Sequence, residues 1–352
     1  MDELFNPERL KIARLRRKMS YKTLAELSGL TTKTLSKYEN DGIKNPPTSE
    51  SMAKIAKVLQ YPVSFFYQDE IDSLSTETVS FRALSKMTAA QRDAAISAGR
   101  LSFVIEAFIQ KHFDLPQPDL PDLRNIESEM AAEAVREHWG LGNKSIKNLV
   151  HLLESKGVRV FSLSENTLDV DAFSFWKNDI PYIFLNNKKS AEHSRFDAAH
   201  ELGHLVLHKH ASPFDSDEPN SSRSAEQEAD DFASAFLMPA SSVHAVSFDF
   251  LSLETIIEMK KFWAVSVLAL IVRLKNLKLL TEWQYRRLMQ EASINGFRKK
   301  EPFSVQKEKS MVFEKILPML AEDGVNVKTM ANQLHLPLDE VTNLVFLPSL
   351  VA

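Results

Sequence analysis

The sequence predicts a multidomain, mainly α protein with an α+β centre. Short basic helical patterns fill residues 1–70, strand patterns precede a His-Glu-x-x-His helix in mid-chain, and further helical patterns follow to the C-terminus. With 352 residues, the chain is long enough for two or three domains with buried cores. We expect its regions to span residues 1–70, 71–125, 126–245 and 246–352.

Composition restricts the chemistry and the compartment. The chain has no cysteine, so disulfides and thiolate metal sites are excluded, and a reducing cytoplasm is the expected location. The longest apolar run, Phe262–Val272, is interrupted by Ser266 and is too short to span a bilayer. It therefore predicts a buried helix and no membrane association.

Charge is distributed unevenly, with a basic N-terminal region in a chain of net charge −4. Residues 6–68 hold twelve Lys and Arg against five acids. Such a local excess is typical of a module that binds a polyanion. A solvated helical bundle or a protein-docking module is the alternative interpretation of a basic helical segment.

The basic region has the pattern of a helix-turn-helix. Its five predicted helical segments are Pro7–Lys18, Tyr21–Leu27, Thr32–Asn40, Ser49–Leu59 and Val63–Tyr67. Gly29 can take positive φ in the turn between the second and third segments, and Thr31 or Thr32 can cap the third. The third helix is thus the candidate for a DNA major groove.

Side chains on this third helix are the candidate DNA contacts. Those expected to face the groove are Thr32, Lys33, Thr34, Ser36 and Lys37. Arg9, Arg14 and Lys44 are expected to contact phosphates. The bases that would be read do not follow from the sequence.

An ordered motif adds a family resemblance. Leu24-Ala25-x-x-x-Gly29, then Leu35-x-x-Tyr38-Glu39-Asn40-Asp41-Gly42, then Ala56-x-x-Leu59, resembles the XRE (lambda-repressor-like) DNA-binding family. The resemblance implies a five-helix domain that binds double-stranded operator DNA, usually as a homodimer.

Residues 71–125 are predicted to connect the DNA-binding head to the rest of the chain. Ala89–Phe113 has apolar positions at helical spacing, and three prolines in Leu115–Pro121 enforce an extended connector. A helix in this position bridges or dimerises more often than it catalyses, so we assign it no chemistry.

A small sheet is predicted before the histidine motif. Gly157–Leu163 alternates as a strand, and Ala172–Trp176 with Tyr182–Leu185 forms a hairpin, while Glu127–Trp139 and Lys144–Lys156 have helical patterns. The hairpin is the candidate to hold a substrate backbone as an added strand. Tyr182, His193 and Arg195 are candidates for oxyanion stabilisation or for purely structural roles.

The chemistry is concentrated in one helical segment of mid-chain. His200 and His204 are one helical turn apart, so two imidazoles can converge on one ion, while Glu201 is placed to contact a water there. An ordinary core helix is the alternative. His208 either lines the pocket or caps the C-terminus of the helix.

A second helical segment supplies the candidate third ligand. Ser224 with Gln227 forms a capping-box pattern, and Glu226 and Asp230 share a face at i and i+4. Glu226 can therefore reach the metal while Asp230 accepts the outward N–H of a ligating histidine. Glu228 points away from Glu226, and we choose Glu226 because of its partner acid one turn on.

Both segments together resemble a family of zinc metallopeptidases. Arg-Phe-Asp-Ala-Ala-His-Glu-Leu-Gly-His-Leu-Val-Leu-His, then Glu226-x-x-Ala229-Asp230-x-Phe232-Ala233 and Leu237-Met238-Pro239, is similar to the ImmA/IrrE family. The resemblance implies a gluzincin-like α+β domain that binds Zn²⁺ at the positions matching His200, His204 and Glu226. The position matching Glu201 would be the catalytic base, and several members cleave a repressor.

The remaining segments are predicted to be structural. Residues 211–223 are polar and aperiodic, which predicts a loop over the site. Residues 246–352 are predicted to be helical, and Lys328–Leu334 with Pro337–Val341 resembles a second helix-turn-helix with few basic residues. We expect this pair to pack against the chain or bind a partner.

The sequence thus predicts a DNA-binding regulator that carries a zinc-dependent endopeptidase. Its substrate would be a repressor-type protein, in trans or the chain itself. One alternative is a repressor or antitoxin-like regulator whose metal site is sensory or structural. Another is a processing peptidase whose head docks a protein partner.

Overall fold

The computed structural model describes residues 4–74, 88–163, 172–186, 188–208, 221–246 and 251–347. Within these ranges the fold is mainly helical with one three-stranded sheet. The fold class predicted from the sequence is confirmed. No helix of the described ranges is both long and apolar enough to cross a membrane.

The N-terminal head consists of four helices and a short 3₁₀ helix. These are α1 (Pro7–Arg16), α2 (Tyr21–Ser28), α3 (Thr32–Asp41), α4 (Ser49–Leu59) and the 3₁₀ helix Val63–Tyr67. The hydroxyls of Ser20, Thr31 and Thr48 accept backbone N–H groups at the starts of α2, α3 and α4. Gly29 ends α2 with φ of 71°, as expected of a residue in the left-handed region.

The central region places a small sheet among helices. In chain order come α5 (Ala89–Gln110), α6 (Ser128–His138), α7 (Leu149–Ser155), β1 (Arg159–Leu163), β2 (Ala172–Lys177) and β3 (Ile180–Asn186). The strand order is β1-β3-β2, with β1 parallel and β2 antiparallel to β3. Asn178 and Asp179 take positive φ in the β2–β3 turn, as type I′ hairpins require. Helix α7 is shorter than predicted, because its cap is Asn148.

Both faces of the sheet are buried, which explains why its strands are so apolar. Alternate residues of a strand point to opposite faces. One face carries the stacked rings of Phe173, Phe175 and Phe184 and belongs to a core shared with α5 and the head. Ile183 and Leu185 on the other face join the core of helices α8 (Ala191–Leu207) and α9 (Ser221–Leu237).

Helix α5 connects the head to the sheet, as expected for a bridging helix. Near its middle, Arg100 forms an ion pair with Glu8 of α1 at 3.1 Å. One turn and a half later, buried Glu106 binds Arg159 of β1 at 2.8 Å and accepts the hydroxyl of Tyr182 from β3. Ionic contacts therefore hold α5 to the head and to the sheet.

The C-terminal region is helical and makes contacts with both other regions. Its helices are α10 (Ala240–His244), α11 (Leu253–Trp263), α12 (Val267–Asn276), α13 (Glu282–Ile294), α14 (Met311–Glu322), α15 (Val327–Gln333) and α16 (Leu338–Leu344). Trp263 and Leu270 continue the core of α8 and α9. At α16, Glu340 binds Arg16 at 2.8 Å and Asp339 binds Arg17 at 2.9 Å. The pair α15–α16 thus packs against the head.

Candidate metal centre and DNA-binding surface

Helices α8 and α9 pack closely enough to bring their side chains to one site. Gly203 makes this possible, because an added Cβ would lie 3.1 Å from the Phe232 ring and 3.3 Å from the Cα of Ala229. Helix α9 begins at Ser221, so the capping box predicted for Ser224 and Gln227 is wrong. The predicted loop lies outside the described residues over 211–220, and residues 221–223 belong to α9.

Three side chains converge between the two helices: His200, His204 and Glu226. The two Nε2 atoms are 3.0 Å apart, and the Glu226 carboxylate oxygens lie 3.6 Å from Nε2 of His200 and 3.3 Å from Nε2 of His204. Ligand atoms about 2.0–2.1 Å from a tetrahedral zinc would be about 3.3–3.4 Å from one another. The donor set therefore fits a zinc ion in composition and in spacing.

The carboxylates around the two histidines favour a positive charge at this site. Asp230 Oδ1 lies 2.8 Å from Nδ1 of His200, the outward nitrogen. Burial opposes the charged form of His200, but hydrogen bonds with Asp230 and Glu226 raise its pKa to about 10. Burial also opposes ionisation of Glu226, yet the two histidines hold its pKa well below its ordinary value. A divalent cation would take the place of the proton that these groups favour.

Glu201 is directed toward the sheet rather than toward a third ligand position. Its side chain is buried, and its Oε2 accepts the hydroxyl of Ser174 at 2.6 Å. Ser174 belongs to β2, an edge strand of the described sheet. The contact of Ser174 with Glu201 was not predicted from the sequence, because only the pairing of β2 with β3 decides which face of the sheet carries the Ser174 side chain.

His208 contacts its neighbours at both ring nitrogens. Its Nδ1 is 3.1 Å from Nδ1 of His204, and its Nε2 is 2.9 Å from Oε2 of Glu228. Ser224 donates to the other oxygen of Glu228 at 2.8 Å. His208 also caps α8, its N–H donating to the carbonyl of His204. The sequence predicted that Glu228 points away from Glu226. It did not predict that Glu228 contacts His208, which lies one helical turn after His204.

The candidate oxyanion stabilisers lie elsewhere. Tyr182 is on the opposite face of the sheet, bonded to Glu106. Arg195 is buried against Glu308 and the carbonyl of Ile146. His193 lies at the N-terminal end of α8 beside Asp197 at 3.5 Å. For Tyr182 and Arg195 the contacts favour the structural interpretation, because the Tyr182 hydroxyl and both terminal guanidinium nitrogens of Arg195 are bonded away from the candidate centre.

Helix α3, the second helix of the helix-turn-helix, exposes most of its predicted DNA-facing side to solvent. Thr32, Lys33 and Lys37 are exposed, and Thr34 and Ser36 are half-buried. Thr34 donates its backbone N–H to the Thr31 cap. The residues assigned to DNA contact thus share an accessible surface, and their roles stay predictions.

Two of the three expected phosphate contacts are wrong. Arg14 is buried and forms a bidentate pair with Glu39 of α3, at 2.6 and 2.8 Å. Arg9 is buried over the Phe65 ring and donates to the carbonyl of Asp69; its burial lowers its pKa to about 10. Lys44 is exposed, in agreement with the expectation.

Family models match both regions of this architecture. A helix-turn-helix model matches residues 10–66, and a model of the IrrE N-terminal-like domain, from the Peptidase_M78 family, matches residues 153–275. The chain joins a helix-turn-helix domain to an IrrE N-terminal-like domain. It therefore has a DNA-binding domain and a metallopeptidase-like domain. Membership of the second domain in the Peptidase_M78 family implies a metal.

The matched ranges agree with the geometry. The IrrE N-terminal-like match contains the sheet, both helices of the candidate metal centre and α11, and it extends beyond the boundary predicted at residue 245. That boundary and the others stay predictions. No curated protein matches the sequence.

Proposed function

We propose that this protein is a transcription regulator whose IrrE N-terminal-like domain hydrolyses a repressor-type protein, in trans or itself, with a zinc ion as cofactor. The observation that supports this most is the convergence of His200, His204 and Glu226 beside the buried Glu201. Two imidazoles and one carboxylate as ligands, with a second carboxylate beside them, are the groups that a zinc hydrolase requires. A DNA-binding regulator of this kind would act in the cytoplasm.

The catalytic roles follow from these positions. A bound zinc would lower the pKa of a water and polarise the scissile carbonyl. His200, His204 and Glu226 would hold the ion, and Asp230 would fix the ring of His200 by accepting from its Nδ1. Glu201 would accept the proton of the attacking water and later deliver it to the leaving amine.

Strand β2 is the proposed support for the substrate backbone. It lies at an edge of the described sheet and contacts α8 through Ser174 and through the Trp176 indole, which donates to the carbonyl of Leu205 at 3.0 Å. An extended peptide added to this edge would run beside the metal helix. We expect the cleaved segment of the substrate to be unfolded and extended.

Metal content tests the proposal. The purified full chain is expected to hold about one zinc ion, since structural and catalytic zinc sites bind one ion with three or four protein ligands. His204→Ala should lose it, because two protein ligands bind zinc far more weakly than three. Inductively coupled plasma mass spectrometry after washing with a weak chelator measures the ratio. A parent chain that takes up no zinc even when supplied would contradict the proposal.

Ser174→Ala tests whether the hydrogen bond from Ser174 positions Glu201, the proposed general base. Hydrogen bonds to charged groups contribute about 1.5–3 kcal/mol, so we expect turnover to fall roughly tenfold or more with zinc content unchanged. Ser174→Thr keeps the hydroxyl and should retain most of the turnover. Equal turnover in the alanine and parent proteins would show that Glu201 does not depend on this contact.

The alternative function is regulation without turnover. The helix-turn-helix domain supports it independently of the metal centre, because DNA binding needs no peptidase. A homodimer on inverted half-sites is proposed for either function. Under the alternative, metal loss would change DNA binding or gene expression, whereas removal of the Glu201 carboxylate would not.

A further inference from the structure

The two candidate metal-binding histidines are supported differently on their outward sides. Nδ1 of His200 faces the carboxylate of Asp230 directly. Nδ1 of His204 faces another imidazole, that of His208, at 3.1 Å. A ring nitrogen accepts a hydrogen bond only when it carries no proton. The tautomers of His204 and His208 are therefore linked.

Only one arrangement of protons on two neutral rings satisfies all the contacts. An ionised carboxylate only accepts, so Nε2–H of His208 donates to Glu228 at 2.9 Å. On a neutral ring Nδ1 of His208 then carries no proton and accepts from Nδ1–H of His204, which leaves Nε2 of His204, the atom that faces His200 and Glu226, without a proton. Ser224 donates to the second carboxylate oxygen.

We infer that His208 and Glu228 are a positioning pair, which holds the ring and the tautomer of His204 so that its Nε2 is available to a metal ion. The inference rests on the proposed function for the identity of that ion. Acidic partners of ligating histidines commonly act in this way, raising ligand basicity and fixing ring orientation. Here the acid, Glu228, acts through the imidazole of His208, so two side chains are needed to position the one ligand His204.

The test compares zinc affinity across matched variants of the full chain, by competition with a chromophoric chelator. His208→Phe keeps the bulk but removes the acceptor, and we expect zinc affinity to fall about 10–100-fold. Glu228→Gln should lower it less. His208→Asn places an amide oxygen near the position of Nδ1 and should recover part of the loss. Asp231→Asn is the control, since Asp231 lies on the same helix and accepts from Gln227.

A second readout does not depend on zinc. In the metal-free chain with ¹⁵N-labelled histidine, NMR should show the His204 proton on Nδ1 in the parent and its loss from Nδ1 in His208→Phe. Unchanged zinc affinity in His208→Phe and Glu228→Gln would overturn the inference while the proposed function stands. If the parent binds no zinc, the proposed function fails, and the inference then depends on the tautomer: a proton on Nε2 of His204 in the parent would overturn it.

Discussion

Replacement of Glu201 by glutamine is expected to abolish peptide hydrolysis and leave zinc bound. The amide keeps the size of the carboxylate but cannot take up a proton, and loss of a general base costs about 10²–10⁴-fold in rate. Glu201 is not among the three converging donors, so the ion should stay. Fragments unique to cells that express the parent, compared with Glu201→Gln, would identify the substrate by mass spectrometry.

The control is Glu226→Gln, which alters a proposed ligand and should lower zinc content together with hydrolysis. Identical fragments and identical gene expression from the parent and Glu201→Gln chains would exclude catalysis as the function. If His204→Ala nevertheless changed expression, the metal centre would be a sensor, which is the alternative function. The two variants thus separate hydrolysis from metal binding.

Local sequence patterns were enough to predict the elements that carry the chemistry. A spacing of four residues on a helix brings His200 and His204 to one face whatever surrounds them, and the i, i+4 spacing of Glu226 and Asp230 does the same on the second helix. The head was predictable for a similar reason, because cap residues and Gly29 mark its helix ends. These features depend on the backbone of one element.

Features that depend on packing between elements were not predictable. Arg9 and Arg14 have the composition of phosphate contacts, yet both side chains are buried in the structure of the head. Tyr182 precedes the metal helix in sequence but points to the far face of the sheet. The contact of Ser174 with Glu201 requires the register of β2 against β3. A sequence pattern gives the type of a side chain, and only the tertiary fold gives its partner.

The C-terminal helix pair packs against the chain, as one of the two expectations had it, but the surface that it contacts was not predictable. Residues 327–344 have a helix-turn-helix pattern, but Asp339 and Glu340 at the start of α16 bind Arg17 and Arg16 of α1. Tyr61 adds a hydrogen bond to Glu340 at 3.4 Å. An acidic helix end that is paired with the head is unsuited to contact phosphates. These contacts hold the DNA-binding head against the rest of the chain while α3 stays accessible.

Arg14→Ala is expected to destabilise the helix-turn-helix domain strongly, an effect far larger than loss of one DNA contact. Arg14 and Glu39 form a bidentate pair whose side chains are 9% and 2% exposed, and Tyr21 donates to the same carboxylate. Removing one partner of a buried ion pair costs about 3–5 kcal/mol, because the remaining charge is left without compensation. Domain stabilities are about 5–15 kcal/mol, so the loss is a large part of the total.

Lys37→Ala is the matched comparison for this variant. Lys37 is exposed on α3, so Lys37→Ala should leave the unfolding temperature unchanged and weaken DNA binding. If Lys37 contacts a phosphate, the slope of log affinity against log salt concentration should fall by about one. Arg14→Ala should lower the unfolding temperature and leave the salt dependence of DNA binding unchanged, because its effect is on folding and not on a phosphate contact. An Arg14→Ala chain that unfolds like the parent but binds DNA with a smaller salt dependence would restore Arg14 as a phosphate contact. That result would mean that the pair with Glu39 opens when the head binds DNA.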